Sequence, residues 1–276
     1  MKDEAIPTGC EAVDELLGGG FERGTVTQIY GSPAAGKTNV ALSAAVETAA
    51  AGGTAVYIDT EGVSVDRFEQ LLSARADENR TRGPDDRSTD VLSSGVEETD
   101  VPSGDESPRD ESAETDVETL ASRIVVEDAL DFEEQAEAVR DAEAFAEGAD
   151  LIVLDSATGF YRLERGPGGG DGTGDGGEAL RSVARQVTHL LSLARKHDLA
   201  VVLTNQVFAD PDSDRTRALG GNTLEHWTGV VVRLERFRGG NRRATLEKHR
   251  SKPAGESVQF RITETGLESG GGMPEP

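Results

Sequence analysis

The segment Gly31-Ser-Pro-Ala-Ala-Gly-Lys37-Thr38 has the G-x-x-x-x-G-K-[ST] spacing of a phosphate-binding loop, here called the P-loop. Its glycines let backbone N–H groups close around phosphate oxygens, and the following helix start adds positive potential. Lys37 would reach the β- and γ-phosphates, and Thr38 would ligate Mg²⁺. The alternative, a glycine-rich turn that binds nothing, is disfavoured because a predicted strand precedes the motif and a predicted helix follows it. The predicted nucleotide-binding residues are Gly31, Ser32, Pro33, Ala34, Ala35, Gly36, Lys37 and Thr38.

Three further polar residues follow apolar runs. Asp155 ends LIVLD, where a carboxylate can orient the water shell of Mg²⁺. Glu61 follows YIDT and could polarise the attacking water as a general base. Gln206 follows AVVLTN, where an amide could sense the γ-phosphate through a hydrogen bond. An Asp in this place can also form a turn, and a lone Glu or Gln can be a solvated polar group; the P-loop favours the metal-binding role of Asp155.

Alternating strands and helices must position these side chains. Apolar runs predict strands over residues 25–30, 55–59, 124–126, 151–155 and 200–205. Helices are predicted over residues 37–51, 65–76, 131–147 and 180–197, and a flexible glycine-rich loop over residues 166–177. Strands over residues 230–237, 243–249 and 257–263 follow without helices between them. The pattern predicts an α/β domain whose mostly parallel central sheet is flanked by helices and extended by C-terminal antiparallel strands.

Composition excludes several classes of protein. One cysteine, Cys10, cannot form a disulfide framework within the chain. No run of about 20 apolar residues could span a membrane, and the first residues lack the apolar core of a secretory signal. We therefore expect a cytoplasmic protein. With 28 Lys and Arg against 52 Asp and Glu, the formal charge of −24 also argues against general affinity for polyanions.

The negative charge is concentrated in residues 77–119, which carry 15 acidic and four basic residues and no aromatic residue. Such a segment buries too little apolar surface to offset its ordering entropy. We predict an acidic, disordered insertion in a single domain spanning residues 1–276, with a frayed tail over residues 269–276. An acidic arm that binds a partner or mimics DNA is the alternative.

Acidity also persists outside the insertion, and Lys is scarce, with five against 23 Arg. A carboxylate-rich surface suits a cytoplasm with molar salt, so the chain is predicted to come from a haloarchaeon. One segment, residues 233–252, is instead basic, with eight basic and two acidic residues. It either faces phosphate, nucleic acid or an acidic neighbouring subunit, or forms edge strands with solvated arginines.

Together, the four motifs and their spacing resemble the RecA-type recombinase superfamily. The stretch IPTGCEAVDELLGGGFERGTVTQIYGSPAAGKT carries the resemblance, as do YIDTEG, LIVLDS, TNQV, GGN and GESVQFRITETGLE. GGNTLEHW and EKHRSKP look like the core-only archaeal paralogues of RadA known as RadB. The resemblance covers nearly the whole chain outside residues 77–119. The sequence opens directly on this core, without the helix-hairpin-helix domain and aromatic polymerisation motif of a RadA recombinase.

The resemblance implies an ATP- and Mg²⁺-binding protein of homologous recombination and DNA repair that assists the RadA recombinase and hydrolyses ATP weakly. By motif, Glu61 activates water and Gln206 senses the nucleotide. Lys248 and Arg250 match cations that reach the γ-phosphate of a neighbouring subunit, which requires a homo-oligomer. Arg67 is a candidate for stacking on adenine, although the segment after Glu61 is one residue shorter than in RadA.

Recombinases bind DNA through two loops that match residues 159–177 and 208–221 here. These loops offer Arg162, Arg165, Arg215 and Arg217 and few aromatic side chains on which bases could stack. We expect weak, salt-sensitive binding of single-stranded DNA.

Two other functions remain open at this point. A KaiC-like signalling ATPase that acts on proteins without DNA would share the P-loop core and a K-x-R element such as Lys248-His-Arg250. An independent strand-exchange enzyme is the other, and the missing N-terminal elements argue against it.

Overall fold

The computed structural model describes residues 5–81, 117–164, 175–209 and 216–270. Its α-helices, in chain order, are α1 (Glu11–Leu17), α2 (Lys37–Ala50), α3 (Val65–Thr81), α4 (Val117–Ala121), α5 (Phe132–Asp141), α6 (Gly159–Glu164), α7 (Asp175–His197) and α8 (Gly221–Trp227). The strands are β1 (Val26–Gly31), β2 (Ala55–Asp59), β3 (Ile124–Asp128), β4 (Leu151–Asp155), β5 (Ala200–Asn205), β6 (Val207–Ala209), β7 (Thr216–Ala218), β8 (Val230–Arg236), β9 (Asn241–Lys248), β10 (Ser257–Ile262) and β11 (Leu267–Ser269).

Nine strands form one sheet in the order β11-β10-β9-β8-β1-β5-β4-β2-β3. The six strands from β8 to β3 are parallel, whereas β9, β10 and β11 pair antiparallel at one side. Because β1, β2, β4 and β5 run in the same direction, the residues that follow them gather at one edge of the sheet, here called the carboxyl edge. The predicted α/β fold, mostly parallel with an antiparallel extension, is confirmed.

Both faces of the sheet are covered, which explains the continuous apolar runs of its central strands. One core joins the sheet to α1, α2, α3 and α4, and Val40, Leu71 and Leu120 are buried in it. The other joins the sheet to α5, α7 and α8 through Val139, Val187, Leu224 and their neighbours. The P-loop helix α2 therefore lies on the first face.

The structure moves several predicted boundaries. Helix α3 continues to Thr81 and α4 begins at Val117, so both margins of the predicted insertion are helical. The buried residues that hold these two helices in the core, Ala76 and Leu120, lie just outside residues 77–119. The rest of the insertion lies outside the described residues.

Two further predicted ranges are narrower in the structure. The predicted loop over residues 166–177 ends earlier, since α7 begins at Asp175. The tail also begins later, because Ser269 belongs to β11 and its hydroxyl accepts a hydrogen bond from the Ala12 N–H. Residues 271–276 lie outside the description.

The predicted cap of α5 is confirmed. The Asp131 carboxylate accepts hydrogen bonds from the backbone N–H groups of Glu133 and Glu134. The α-helix ends at Asp141, and a 3-10 turn over Ala142–Ala144 replaces the predicted last turn. In the described part of the chain, no helix combines the length and the apolar character needed to span a membrane.

Candidate nucleotide-binding site

The P-loop leaves β1 at the carboxyl edge and turns into α2. Gly36 has φ +107°, a conformation that glycine adopts without strain. A Cβ on Gly31 would lie 2.4 Å from the Leu234 carbonyl oxygen, so the loop begins in direct contact with strand β8. Only glycine fits at that position. The motif glycines thus give the backbone both the turn and the close packing that a phosphate cradle requires.

Lys37 points back into the loop that precedes it. Its Nζ lies 3.1 Å from the carbonyl oxygen of Gly31 and 3.4 Å from that of Ser32. The side chain is 8 % exposed, and burial lowers the pKa of its ammonium group, opposed by the negative charges of Glu61 and Asp155. A buried cation held mainly by carbonyl dipoles is well suited to meet phosphate oxygens.

Asp155 lies at the end of β4 and is fully buried. Tyr57 Oη donates to its Oδ2 at 2.7 Å, and the Thr204 hydroxyl donates to its Oδ1. Burial raises the pKa of this carboxyl group, while hydrogen bonds from Thr204, Tyr57 and Thr38 oppose the shift. The contact with Thr38 joins the two residues predicted to bind Mg²⁺.

Hydroxyl and carboxylate oxygens are ligands that Mg²⁺ accepts, usually together with water and substrate phosphates. Among the described ranges, no group of three or more His, Cys, Asp or Glu side chains could hold a metal by itself. Thr38 and Asp155 therefore fit a Mg²⁺ ion that arrives with a nucleotide, and such an ion would neutralise phosphate charge there.

Glu61 follows β2 and meets groups from two other strand ends. Its Oε1 accepts a hydrogen bond from Ser156 Oγ at 2.8 Å and one from Gln206 Nε2 at 2.9 Å. The structure therefore brings Glu61 and Gln206 together, at the same edge as the P-loop. This contact explains how two residues 145 positions apart can belong to one site.

Two residues that the sequence analysis did not single out shape this loop. The Asp59 carboxylate accepts hydrogen bonds from the N–H groups of Glu61, Gly62 and Val63. Thr60 Oγ1 donates to the Ser156 carbonyl oxygen at 3.0 Å and accepts from the Ser156 N–H at 2.7 Å. The peptide bond between Asp155 and Ser156 is cis. One signal in the sequence could have indicated these two residues, because DTEG and DS each come directly at the end of an apolar run.

Beyond β5, the chain is tied to the β6–β7 hairpin. Asn205 Oδ1 accepts from Thr158 Oγ1 at 2.6 Å, and its Nδ2 donates to the Leu219 carbonyl oxygen at 2.8 Å. The Leu219 N–H in turn donates to the Gln206 carbonyl oxygen at 2.9 Å. Gln206 therefore contacts Glu61 with its side chain and the end of the hairpin with its backbone.

The structure does not bring Lys248 and Arg250 to this site. Lys248 Nζ donates to the carbonyl oxygens of Glu225 and Thr228 at 2.6 and 2.8 Å, and Arg250 Nη2 lies 3.3 Å from Thr25 Oγ1. Thr25 precedes β1, so both cations lie at the opposite edge of the sheet. The length of β1, about 17 Å at ~3.3 Å per residue, separates them from the P-loop of the same chain.

Of the DNA-binding candidates, Arg162 lies in α6 and Arg217 is exposed in β7. Arg165 and Arg215 lie outside the described residues.

The adenine-stacking candidate Arg67 lies beside the start of α2. Its Nε donates to Asn39 Oδ1 at 2.9 Å, and its Nη1 donates to the Glu264 carbonyl oxygen at 2.9 Å. Burial lowers the pKa of its guanidinium group. Asn39 follows Thr38 directly, so Arg67 flanks the helix that leaves the P-loop.

Comparison with known proteins agrees with this geometry. The Rad51 family model matches residues 110–270, and the RecA N-terminal domain model matches residues 1–90. The DNA repair and recombination protein RadB of Halobacterium salinarum is 60% identical over 269 residues, which cover 97% of this chain and 96% of that protein. RadB of Methanoculleus marisnigri is 38% identical over 98% of this chain and 100% of its own length.

A solved crystal structure of the RadB recombinase has a TM-score of 0.70 and 30% sequence identity, covering 96% of this chain and all of that one. The similarity to Halobacterium proteins also agrees with the salt adaptation predicted from charge. The fold, the P-loop with its surrounding strand ends, and these relatives together show that the chain belongs to the RadB family of DNA repair and recombination proteins, within the RecA-like recombinases.

Proposed function

We propose that this chain binds ATP with Mg²⁺ and assists a RadA recombinase in homologous recombination, with slow ATP hydrolysis and weak binding of single-stranded DNA. The observation that carries the proposal is the convergence of Lys37, Asp155, Glu61 and Gln206 at one edge of the sheet. Bound at the P-loop, MgATP would supply the phosphoryl group to be cleaved. The chain's own residues bind the nucleotide, orient its phosphates and activate the attacking water.

Each residue has a role that its surroundings support. Lys37 and the loop N–H groups bind the phosphates, and Thr38 with Asp155 holds Mg²⁺. Glu61 orients the attacking water and accepts its proton, because its carboxylate is exposed and its charge acts on Lys37 of the loop. Gln206 detects the γ-phosphate through Glu61 and transmits the change to the β6–β7 hairpin.

Slow hydrolysis is supported by the hydrogen bonds at Glu61. Its Oε1 already accepts hydrogen bonds from Ser156 Oγ and Gln206 Nε2, so an attacking water has to compete with these two donors for that oxygen. This arrangement favours a nucleotide-dependent switch over rapid turnover.

Weak DNA contact through Arg162, Arg165, Arg215 and Arg217 is proposed from their match to recombinase loops. Base stacking contributes about 1–3 kcal/mol per base in single-strand binders, and these loops contain few aromatic residues. Binding should therefore depend mainly on phosphate contacts and fall steeply with salt.

Lys248 and Arg250 are proposed to act across an interface between copies of this chain. Their distance from the P-loop of their own subunit is compatible with that role and excludes direct contact in the same subunit. The Lys248 ammonium has three N–H donors, two of which go to carbonyl oxygens, so the third is the one that would meet a phosphate of the neighbouring subunit.

Co-purification tests the central proposal. RadA from the same organism is incubated with tagged protein in molar KCl, with ATP, with ADP and without nucleotide. We expect RadA to be retained, more strongly with ATP. The Lys37→Ala variant serves as the matched control and should lose the nucleotide dependence. Failure to retain RadA under all three conditions would refute the accessory role.

A further inference from the structure

Two arginines face each other across the β8–β9 pair. Arg236 and Arg242 are direct partners in the antiparallel register. Side chains alternate along a strand, so Arg236 shares a face with Leu234, and Arg242 shares a face with Ala244. Leu234 and Ala244 belong to the core that contains α2, which places both arginines on the P-loop side of the sheet.

Arg242 is packed directly against the P-loop. A Cβ on Gly36 would lie 3.1 Å from Arg242 Nε and 3.2 Å from its Cδ, and 2.7 Å from Ile262 Cδ1. Gly36 immediately precedes Lys37 and lies where the loop N–H groups cradle phosphate. The Arg242 guanidinium group therefore adds a second positive charge to the loop, from a strand and not from the loop itself.

Neither arginine has an acidic partner among the residues that the structure describes. Arg242 Nη1 donates to the Gly240 carbonyl oxygen at 2.6 Å, while its Nε is buried without a hydrogen-bond partner. Burial and the charge of Arg236 lower the pKa of Arg242. Within the described ranges, no Asp or Glu oxygen lies within 4.0 Å of Arg236 or Arg242, whereas Arg233, on the other face of β8, has ion pairs with Glu235 and Glu247.

This arrangement is costly without an anion. Like charges directly opposite in a sheet are destabilising, and a buried N–H donor without a partner loses its hydration. Solvated arginines on an outer face would not be packed on the P-loop glycine. In so acidic a chain, two neighbouring arginines that pair with no carboxylate of the described residues point to a negatively charged ligand.

We propose that Arg242 binds the phosphate chain of the nucleotide held by the P-loop of the same subunit, and that Arg236 strengthens this contact through its charge. The proposal rests on the proposed nucleotide-binding function and adds a residue from β9 to it. It explains part of the basic segment over residues 233–252 without a second subunit. The ligand class is a nucleoside di- or triphosphate.

The test compares Arg242→Gln with Arg243→Gln. Arg243 is the next residue on the same strand, faces the opposite side of the sheet, and lies 4.7 Å from the centre of the Phe237 ring. Both changes remove one positive charge from the same hairpin. Dissociation constants for MgATP and MgADP are measured by calorimetry at fixed KCl, together with the melting midpoint without nucleotide.

We expect Arg242→Gln to weaken the binding of both nucleotides about tenfold or more, as expected when a charge-assisted hydrogen bond is lost. Arg243→Gln should change either affinity less than about twofold. The nucleotide-free midpoint of Arg242→Gln should be equal to that of wild type or higher, because the repulsion with Arg236 is removed. The second expected result is that Arg236→Gln also lowers the affinity for both nucleotides, but by a smaller factor.

Equal nucleotide affinity in Arg242→Gln and wild type would overturn this inference and leave the P-loop function standing. Absence of binding by wild type and by Arg243→Gln alike would instead refute the nucleotide-binding function itself. A lower nucleotide-free midpoint in Arg242→Gln that accounts for the lost affinity would assign Arg242 a structural role only, and would also overturn the proposal.

Discussion

Gln206 Nε2 donates a hydrogen bond of 2.9 Å to Glu61 Oε1, across the end of the strand that lies between them in the sheet. Ser156, which follows that intervening strand β4, donates to the same oxygen. One carboxylate oxygen therefore joins the ends of three strands. Any movement of Glu61 towards a nucleotide must change its contact with Gln206, whose carbonyl oxygen holds the residue after the β6–β7 hairpin.

Replacing Glu61 with Gln is expected to lower ATP turnover by about 100-fold, the usual contribution of a general base, with ATP affinity retained. The amide keeps the shape but cannot accept the proton of water. Phosphate release and equilibrium binding provide the two measurements. Glu69→Gln, on the exposed side of α3, is the matched control. Unchanged turnover in Glu61→Gln would show that another group activates water.

Gln206→Ala is expected to abolish the response of the β6–β7 hairpin to the bound nucleotide. In wild type, hydrogen exchange of Val207–Ala209 and Thr216–Ala218 should slow when ATP replaces ADP, and in the variant this difference should disappear. ATP affinity should change little, because the amide donates to Glu61, whose proposed role is in hydrolysis rather than in phosphate binding. A nucleotide response of the hairpin that persists in the variant would contradict the coupling.

Lys37→Ala is expected to abolish measurable ATP binding while the chain stays folded. Burial lowers the pKa of Lys37, so its charged form is less stable in the folded chain than in the unfolded one. At neutral pH the ionised amine therefore costs stability. Removing it should leave the nucleotide-free melting midpoint unchanged or raise it. Lys196→Ala, with a side chain 61% exposed, is the control, and its ATP affinity should equal that of wild type.

Lys248→Met is expected to destabilise the chain by about 1 kcal/mol, because the ammonium group binds two carbonyl oxygens at the end of α8. For a domain of this size the melting midpoint should fall by about 2–4 °C. Lys252 binds the carbonyl oxygens of Glu15 and Leu16 at the end of α1, so Lys252→Met should cause a similar loss. An unchanged midpoint in both variants would show that these contacts add no stability.

The melting midpoint is expected to rise with KCl. A net charge of −24 repels itself, and salt screens that repulsion. Thermal unfolding followed from 0.1 to 3 M KCl would check the direction. A midpoint that falls over this range would refute salt adaptation of the fold.

Much of the framework could be predicted from local patterns. Buried parallel strands such as LIVLD and AVVLTN are continuously apolar, and Asp131 is a cap whose partners lie within three residues. The P-loop is likewise a local motif. These features depend on neighbours in sequence, so they are visible without the fold.

The rest depends on which strands lie side by side. The hydrogen bond from Ser156 to Glu61 and the packing of Arg242 on Gly36 join residues far apart in sequence, and no periodicity indicates them. Helix α1 was missed because seven residues give too short a pattern, and its burial depends on the C-terminal strands. The placement of Lys248 and Arg250 at the opposite edge also required the register of β8 and β9.

The hydrogen bond between Ala12 and Ser269 places helix α1 against a strand that lies 257 residues later in the chain. During synthesis, α1 emerges from the ribosome long before β10 and β11 exist to cover it. Its apolar residues Val13, Leu16 and Leu17 therefore stay open to solvent or to a chaperone until β10 and β11 have been made. The packing of α1 against these strands is therefore a late event in biogenesis, and a chain interrupted before β10 cannot complete it.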